Sequence, residues 1–216
     1  TAEDGSTMNL KPLTVKLECG VWKGRDVSGP DIAITGPAAD LITNAAGVTV
    51  SGTASDDTGV TSITINGVSV PFTLTGNPSA PNEVAFSFAL DTADGENTLL
   101  VKAYDAANHS SDDTRKIYVD RWNPGMTISL PADGAVIATG SAVPVSVQAY
   151  DQGYGFTLKV YAGNELLHEG TGPANATTSE TISFSSELAN LSPGPHTIRA
   201  EVTDRAGNSA STSMTF

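Results

Sequence analysis

Gly95-Glu96-Asn97-Thr98-Leu99-Leu100-Val101-Lys102-Ala103-Tyr104-Asp105 is followed by Ala106-Ala107-Asn108-His109. The pattern returns 99 positions later as Gly194-Pro195-His196-Thr197-Ile198-Arg199-Ala200-Glu201-Val202-Thr203-Asp204, followed by Arg205-Ala206-Gly207-Asn208. Each copy reads as a Gly-containing turn, a strand with alternating faces, and an Asp-led loop. In the second copy Ile198, Ala200 and Val202 face one way, and Thr197, Arg199, Glu201 and Thr203 face the other. Two copies make the chain a repeat, and a repeat sets the architecture before any single motif does.

Working outward from the first copy, short alternating runs lie at Asp31 to Thr35, Val48 to Ala54, Thr61 to Ile65, Val68 to Leu74, Val84 to Leu90 and Ile117 to Val119. Asn66-Gly67, flanked by alternating residues, is the strongest hairpin signal in the chain. Around the second copy the runs are Met126 to Leu130, Val143 to Ala149, Leu158 to Tyr161, Ile182 to Phe184 and Ala210 to Phe216, with a hairpin turn at Gly163-Asn164. No 3.6-residue apolar period stands out, although Ser185 to Leu191 has the composition of one helical turn. About seven short strands per unit, with turn signals every ~8–12 residues, predict an antiparallel β-sandwich for each half. The linkers align too: Asp26, Pro30 and Ile32 match Asp120, Pro124 and Met126 at an offset of 94. The expected organisation is an arm over 1–26, a first domain over 27–121 and a second over 122–216.

The arm lies outside the repeat. Leu13, Val15, Leu17, Cys19 and Val21 alternate with Thr14, Lys16, Glu18 and Gly20, a strand pattern with no hairpin partner in sequence. An unpaired strand of this kind seeks a sheet edge. It either docks on its own first domain or adds to a sheet of another chain, in which case those five residues form a partner-binding strand.

The 24 acidic and 11 basic residues leave a formal net charge of −13. Such a surface repels nucleic acid and anionic membranes, and solubility is its simplest consequence. Cys19 is the only cysteine, so no internal disulfide forms. No apolar run approaches the ~18 residues of a membrane-spanning helix.

Several stretches resemble bacterial immunoglobulin-like modules. They are Val50-Ser51-Gly52-Thr53-Ala54-Ser55-Asp56-Asp57-Thr58-Gly59-Val60, Ile63-Thr64-Ile65-Asn66-Gly67, Asn97-Thr98 and Tyr104-Asp105-Ala106-Ala107-Asn108. Asp204-Arg205-Ala206-Gly207-Asn208 is the closer match to that family's strand-end signature, and Asn108-His109 departs from it where Gly-Asn is usual. The resemblance covers roughly residues 27–216. It implies two tandem Ig-like sandwiches, all-β, and the secreted or cell-surface location usual for such modules. There they serve as spacers, adhesin stalks or appendages of glycan-degrading enzymes.

Chemistry is sparse. The three histidines, His109, His168 and His196, sit in no nucleophile, zinc-helix or phosphate-loop motif, and His109 and His196 read as ordinary solvated residues. The chain is therefore expected not to be an enzyme. Cation binding is the better candidate. In a sandwich of this topology the B–C and F–G loops share the end at which the linker strand begins. Asp120, Asp151 and Asp204 should converge between the domains, and Asp26, Asp56, Asp57 and Asp105 at the start of the first. Calcium takes about six to eight oxygens, which carboxylates, loop carbonyls and water supply. The competing reading is that these residues cap turns through their own side chains, with no metal. Tyr150, Tyr154, Phe156 and Tyr161 are close enough in sequence to suggest an aromatic platform for sugar, against an ordinary role in core and sheet. Trp22 and Trp122 are expected to pack at the linkers.

The expected function is a non-catalytic extracellular structural or interaction module, a spacer or an adhesion element. One alternative is a self-assembling or accessory subunit of a surface filament that uses its arm for strand addition. The other is a glycan-binding accessory module.

Overall fold

The computed structural model of the chain describes residues 26–172 and 179–216. The arm strand (Leu13, Val15, Leu17, Cys19 and Val21) and Trp22 lie outside the described residues.

The first half contains β1 (Asp31–Gly36), β2 (Leu41–Thr43), β3 (Gly47–Ser55), β4 (Val60–Ile65), β5 (Val68–Val70), β6 (Phe72–Leu74), β7 (Val84–Asp91), β8 (Gly95–Asp105) and β9 (Ser110–Val119). They form a four-stranded sheet in the order β1-β3-β7-β6 and a five-stranded sheet in the order β2-β9-β8-β4-β5. The second half contains β10 (Gly125–Leu130), β11 (Val143–Asp151), β12 (Phe156–Ala162), β13 (Glu165–Thr171), β14 (Glu180–Leu188), β15 (Thr197–Asp204) and β16 (Ser209–Thr215). Its sheets run β10-β11-β14 and β13-β12-β15-β16. The chain is all-β, and each half is an Ig-like sandwich.

Alternation explains both cores. Leu99, Val101 and Ala103 of β8 face inward with Val50 of β3, Ile63 and Ile65 of β4, and Ile117 and Val119 of β9. In the second half Val145, Val147 and Ala149 of β11 meet Leu158 and Val160 of β12 and Ile198, Ala200 and Val202 of β15. Burying each large aliphatic side chain stabilises the fold by about 1.5–3 kcal/mol before chain entropy is subtracted. Asn66 and Gly67 take φ of 49° and 81°, the left-handed pair that a tight hairpin between β4 and β5 demands.

Three local readings change. The return strand expected over Val68 to Leu74 is split: β5 pairs with β4, whereas β6 pairs with β7 in the opposite sheet. Pro71 stands between them, and its missing N–H breaks the ladder where the chain changes sheets. The helical turn at Ser185 to Leu191 is not formed. Ser185 to Leu188 continue β14 in antiparallel register with β11, because the sheet satisfies backbone groups that one isolated turn would leave exposed. β2 was not expected: its three residues pair in parallel with the end of β9, Thr43 opposite Val119.

Candidate metal centre

The period-2 phase of the core strands continues into their last residues. Val143, Val145, Val147 and Ala149 point inward, and so does Asp151 at the end of β11. Ile198, Ala200 and Val202 point inward, and so does Asp204 at the end of β15. Two carboxylates are thus carried to the end of the second core by the alternation that builds it. Asp120 arrives from the other direction, at the end of β9, where its N–H donates to the carbonyl of Thr43 (2.9 Å).

One carboxylate oxygen each from Asp120, Asp151 and Asp204 lies within 4.8 Å of the others, and all three residues are buried. Their surroundings differ. Asp204 Oδ1 accepts the N–H groups of Gly207 (2.7 Å) and Asn208 (2.8 Å), and its Oδ2 accepts Asn208 Nδ2 (2.7 Å). Asp120 Oδ1 accepts the Trp122 N–H (3.0 Å). Asp151 is 3% exposed, and neither of its side-chain oxygens has a hydrogen-bond partner among the described residues. Burial pushes its carboxyl up to about 6, and the charges of Asp120 and Asp204 push the same way. The amides of Gln152 and Gly153 oppose this shift without reaching hydrogen-bond geometry. Burial raises Asp120 as well, against the pull of the Trp122 amide.

The cluster sits at the junction of the two halves. Asn208 Nδ2 donates to the backbone carbonyl of Asp120 (2.9 Å), and Asn208 Oδ1 accepts Asn44 Nδ2 (3.0 Å) from the first sandwich. Arg121 fastens the linker to the same sandwich through Asp94 (2.6 Å) and the carbonyls of Ala45 (3.0 Å) and Thr92 (2.9 Å). Tyr118 and Tyr154 meet across the junction with ring centroids 5.3 Å apart.

The corresponding acids of the first sandwich also come together, and Asp26, Asp56 and Asp105 accept hydrogen bonds from protein donors. Asp26, Asp56 and Asp57 form one group, and Asp26, Asp105 and His109 another. Thr58 Oγ1 donates to Asp26 Oδ2 (2.8 Å), and the Thr58 N–H donates to Asp56 Oδ1 (2.8 Å). The side-chain hydrogen bond from Thr58, joined by the Ser28 amide, holds the Asp26 carboxyl below its ordinary value. Asp105 accepts the His109 N–H (2.8 Å) and lies 3.1 Å from His109 Nδ1. His109 is therefore not a free solvated histidine. It takes the place that Asn208 holds in the second sandwich, four residues after the strand-end Asp.

Sequence reasoning placed the acids but missed Thr58 and Asn208 as their partners, and Asn44 as the partner of Asn208. Asn208 had a signal, because it ends the quoted strand-end motif; Asn44 had none, lying 164 positions away. The four aromatics do not form a platform. Phe156 is in the core, Tyr154 is at the junction, Tyr150 lies across Gly125 on β10, and Tyr161 packs beneath Arg199 on the other sheet. Trp122 is 60% exposed, so only its backbone takes part in the linker. At the opposite end of the second sandwich is an apolar cleft of about 550 Å³ beside the exposed Val136.

Two family models match consecutive regions of the sequence: glucodextranase, domain B, over residues 30–121, and a bacterial Ig domain over residues 124–200. None of the curated proteins matches the sequence. Among solved structures, the chain is similar to fibronectin(III)-like modules of CbhA from Clostridium thermocellum. That match has 14% identity and a TM-score of 0.45, and covers 86% of this chain and 92% of that one. It is also similar to dimeric latent PorU from Porphyromonas gingivalis, at 12% identity and a TM-score of 0.37, covering 87% of this chain and 20% of that one. A third is the C-terminal domain of the antigen I/II-family protein AspA from Streptococcus pyogenes, at 8% identity and a TM-score of 0.35, covering 87% and 98%. The consecutive family matches and the paired sandwiches agree: the chain belongs to the bacterial immunoglobulin-like domains, in tandem.

Proposed function

We propose that this chain is a non-catalytic spacer of a secreted or surface-exposed protein, two sandwiches held end to end at a fixed angle. Bacterial Ig domains are structural modules as a class, although one of the two matching models is named for a domain of an enzyme. No helix among the described residues is long and apolar enough to cross a membrane. The observation that carries the reading is the pinned linker. Arg121 anchors one side of it to Thr92, Asp94 and Ala45, and Asn208 bridges Asp120 to Asn44 on the other. A flexible tether needs no such contacts, and default inter-domain motion is suppressed only when an interface is built. A spacer transmits position, so rigidity at its joint is the property it requires.

Backbone 15N relaxation combined with small-angle scattering tests this. The expected result is one anisotropic tumbling tensor shared by both halves and a scattering profile fitted by one extended conformer. Separate correlation times for 27–119 and 125–216 would sink the spacer reading.

A further inference from the structure

We infer that Asp120, Asp151 and Asp204 form a divalent-cation site of calcium type at the junction between the two sandwiches. Three carboxylates, one oxygen of each within 4.8 Å of the others, are brought out of water together. An acidic cluster alone is common on surfaces, but here a second observation points to a ligand. Both oxygens of Asp151 are buried and without a hydrogen-bond partner among the described residues, and one of them lies within 4.8 Å of an oxygen of Asp120 and of Asp204. A buried carboxylate without a partner is costly, and a cation removes that cost.

The first sandwich supplies an internal comparison. Asp56 corresponds to Asp151, and its loop provides the Thr58 and Gly59 amides together with the Thr58 hydroxyl as donors. In the second sandwich Gly153 stands at the position of Thr58, so the hydroxyl is gone. Tyr154 follows at φ 64°, in the left-handed region. The same fold thus supplies Asp56 with protein donors and leaves Asp151 without them. Asp204 and Asp120 are already oriented, by the Asn208 amide and the Trp122 N–H respectively, so little ordering remains to be done on binding. All-oxygen donors of this charge suit a hard cation, and the irregular loop geometry suits calcium, which tolerates variable coordination, better than magnesium. Because Asp120 is the first linker residue and Asn208 ties it to Asn44, an ion here also fixes the angle between the halves.

The inference does not rest on the spacer reading. Rigid tumbling without calcium binding would remove this inference alone, and calcium binding with independent tumbling would remove the spacer reading alone. The test is isothermal titration of the metal-free full chain with calcium chloride, with thermal melts in calcium and in EGTA. One ion per chain is expected. At about 100-fold excess over the dissociation constant, the second sandwich should melt at least ~5 °C higher. Asp151→Asn should abolish both effects, and Asp56→Asn should leave them intact. Should Asp151→Asn fail to fold, amide shifts of the wild-type chain on calcium addition decide. Changes concentrated at 120–122, 151–155 and 204–208 support the site. No binding heat, undiminished binding in Asp151→Asn, or shifts confined to the first sandwich would overturn it.

Discussion

Asp151 and Asp56 occupy the same place in their sandwiches, and one residue two positions on separates their chemistry. Thr58 donates to both Asp56 and Asp26, whereas Gly153 offers no side chain. The consequence for pH follows from burial. In metal-free protein the folded state holds the Asp151 proton up to about pH 6, while an unfolded Asp releases it near 3.8. Between those values the folded state binds more protons, so stability falls as pH rises through the window and levels off above it. The expected loss is about 2 kcal/mol, read as a drop in urea midpoint between pH 4 and pH 7. Asp26 acts in the opposite sense. Its carboxyl is held below 3.8, so its contribution is present above that value and disappears only as pH falls further. Saturating calcium should reverse the Asp151 trend, because the ion needs the ionised form.

At the scale of the element, the strands are specified by alternation and their ends by breakers. β3 shows how close the tolerances are. A Cβ built on Gly52 would lie 2.4 Å from the Ala33 carbonyl of β1 and 2.6 Å from the Phe86 ring of β7. The Ala33 carbonyl cannot withdraw without disturbing the β1–β3 ladder, and the Phe86 ring is held in the core. Gly52→Ala should therefore cost about 1–3 kcal/mol in the first sandwich, measured by chemical denaturation, and leave the second transition in place. Pro71 has a comparable role at the sheet crossing. It turns one expected hairpin strand into two short pieces that form edge strands of the two facing sheets of the first sandwich.

For the whole molecule the joint is the feature that makes two domains one object. Asn208 touches Asp204 at the β15–β16 loop, the linker and the first sandwich at once through both ends of its side-chain amide. Removing that amide leaves a buried Asp204 oxygen and the Asp120 carbonyl with one fewer donor each. Asn208→Ala should cost about 2–3 kcal/mol in the second sandwich and broaden the distribution of interdomain angles seen by scattering. Both cores lie away from the joint, so each half should keep its own fold in the variant.

The sequence by itself determined the repeat, the all-β class, the inward residues of nearly every long strand and the Asn66-Gly67 turn. These follow from period-2 patterning and local turn chemistry, which act over a few residues. It also held more about the site than its turn signals suggest, since the phase of Val143 to Ala149 and of Ile198 to Val202 already directs Asp151 and Asp204 inward. What only the tertiary structure decided is which partners each acid meets. Asn44 and Asn208 are 164 residues apart, and β2 finds β9 by a parallel pairing that no local pattern marks. Whether a strand-end Asp caps its own turn or stands unpartnered in a buried cluster depends on what the other loops deliver to that end. That is settled by long-range packing, and it leaves Asp151 without the protein donors that Asp56 has.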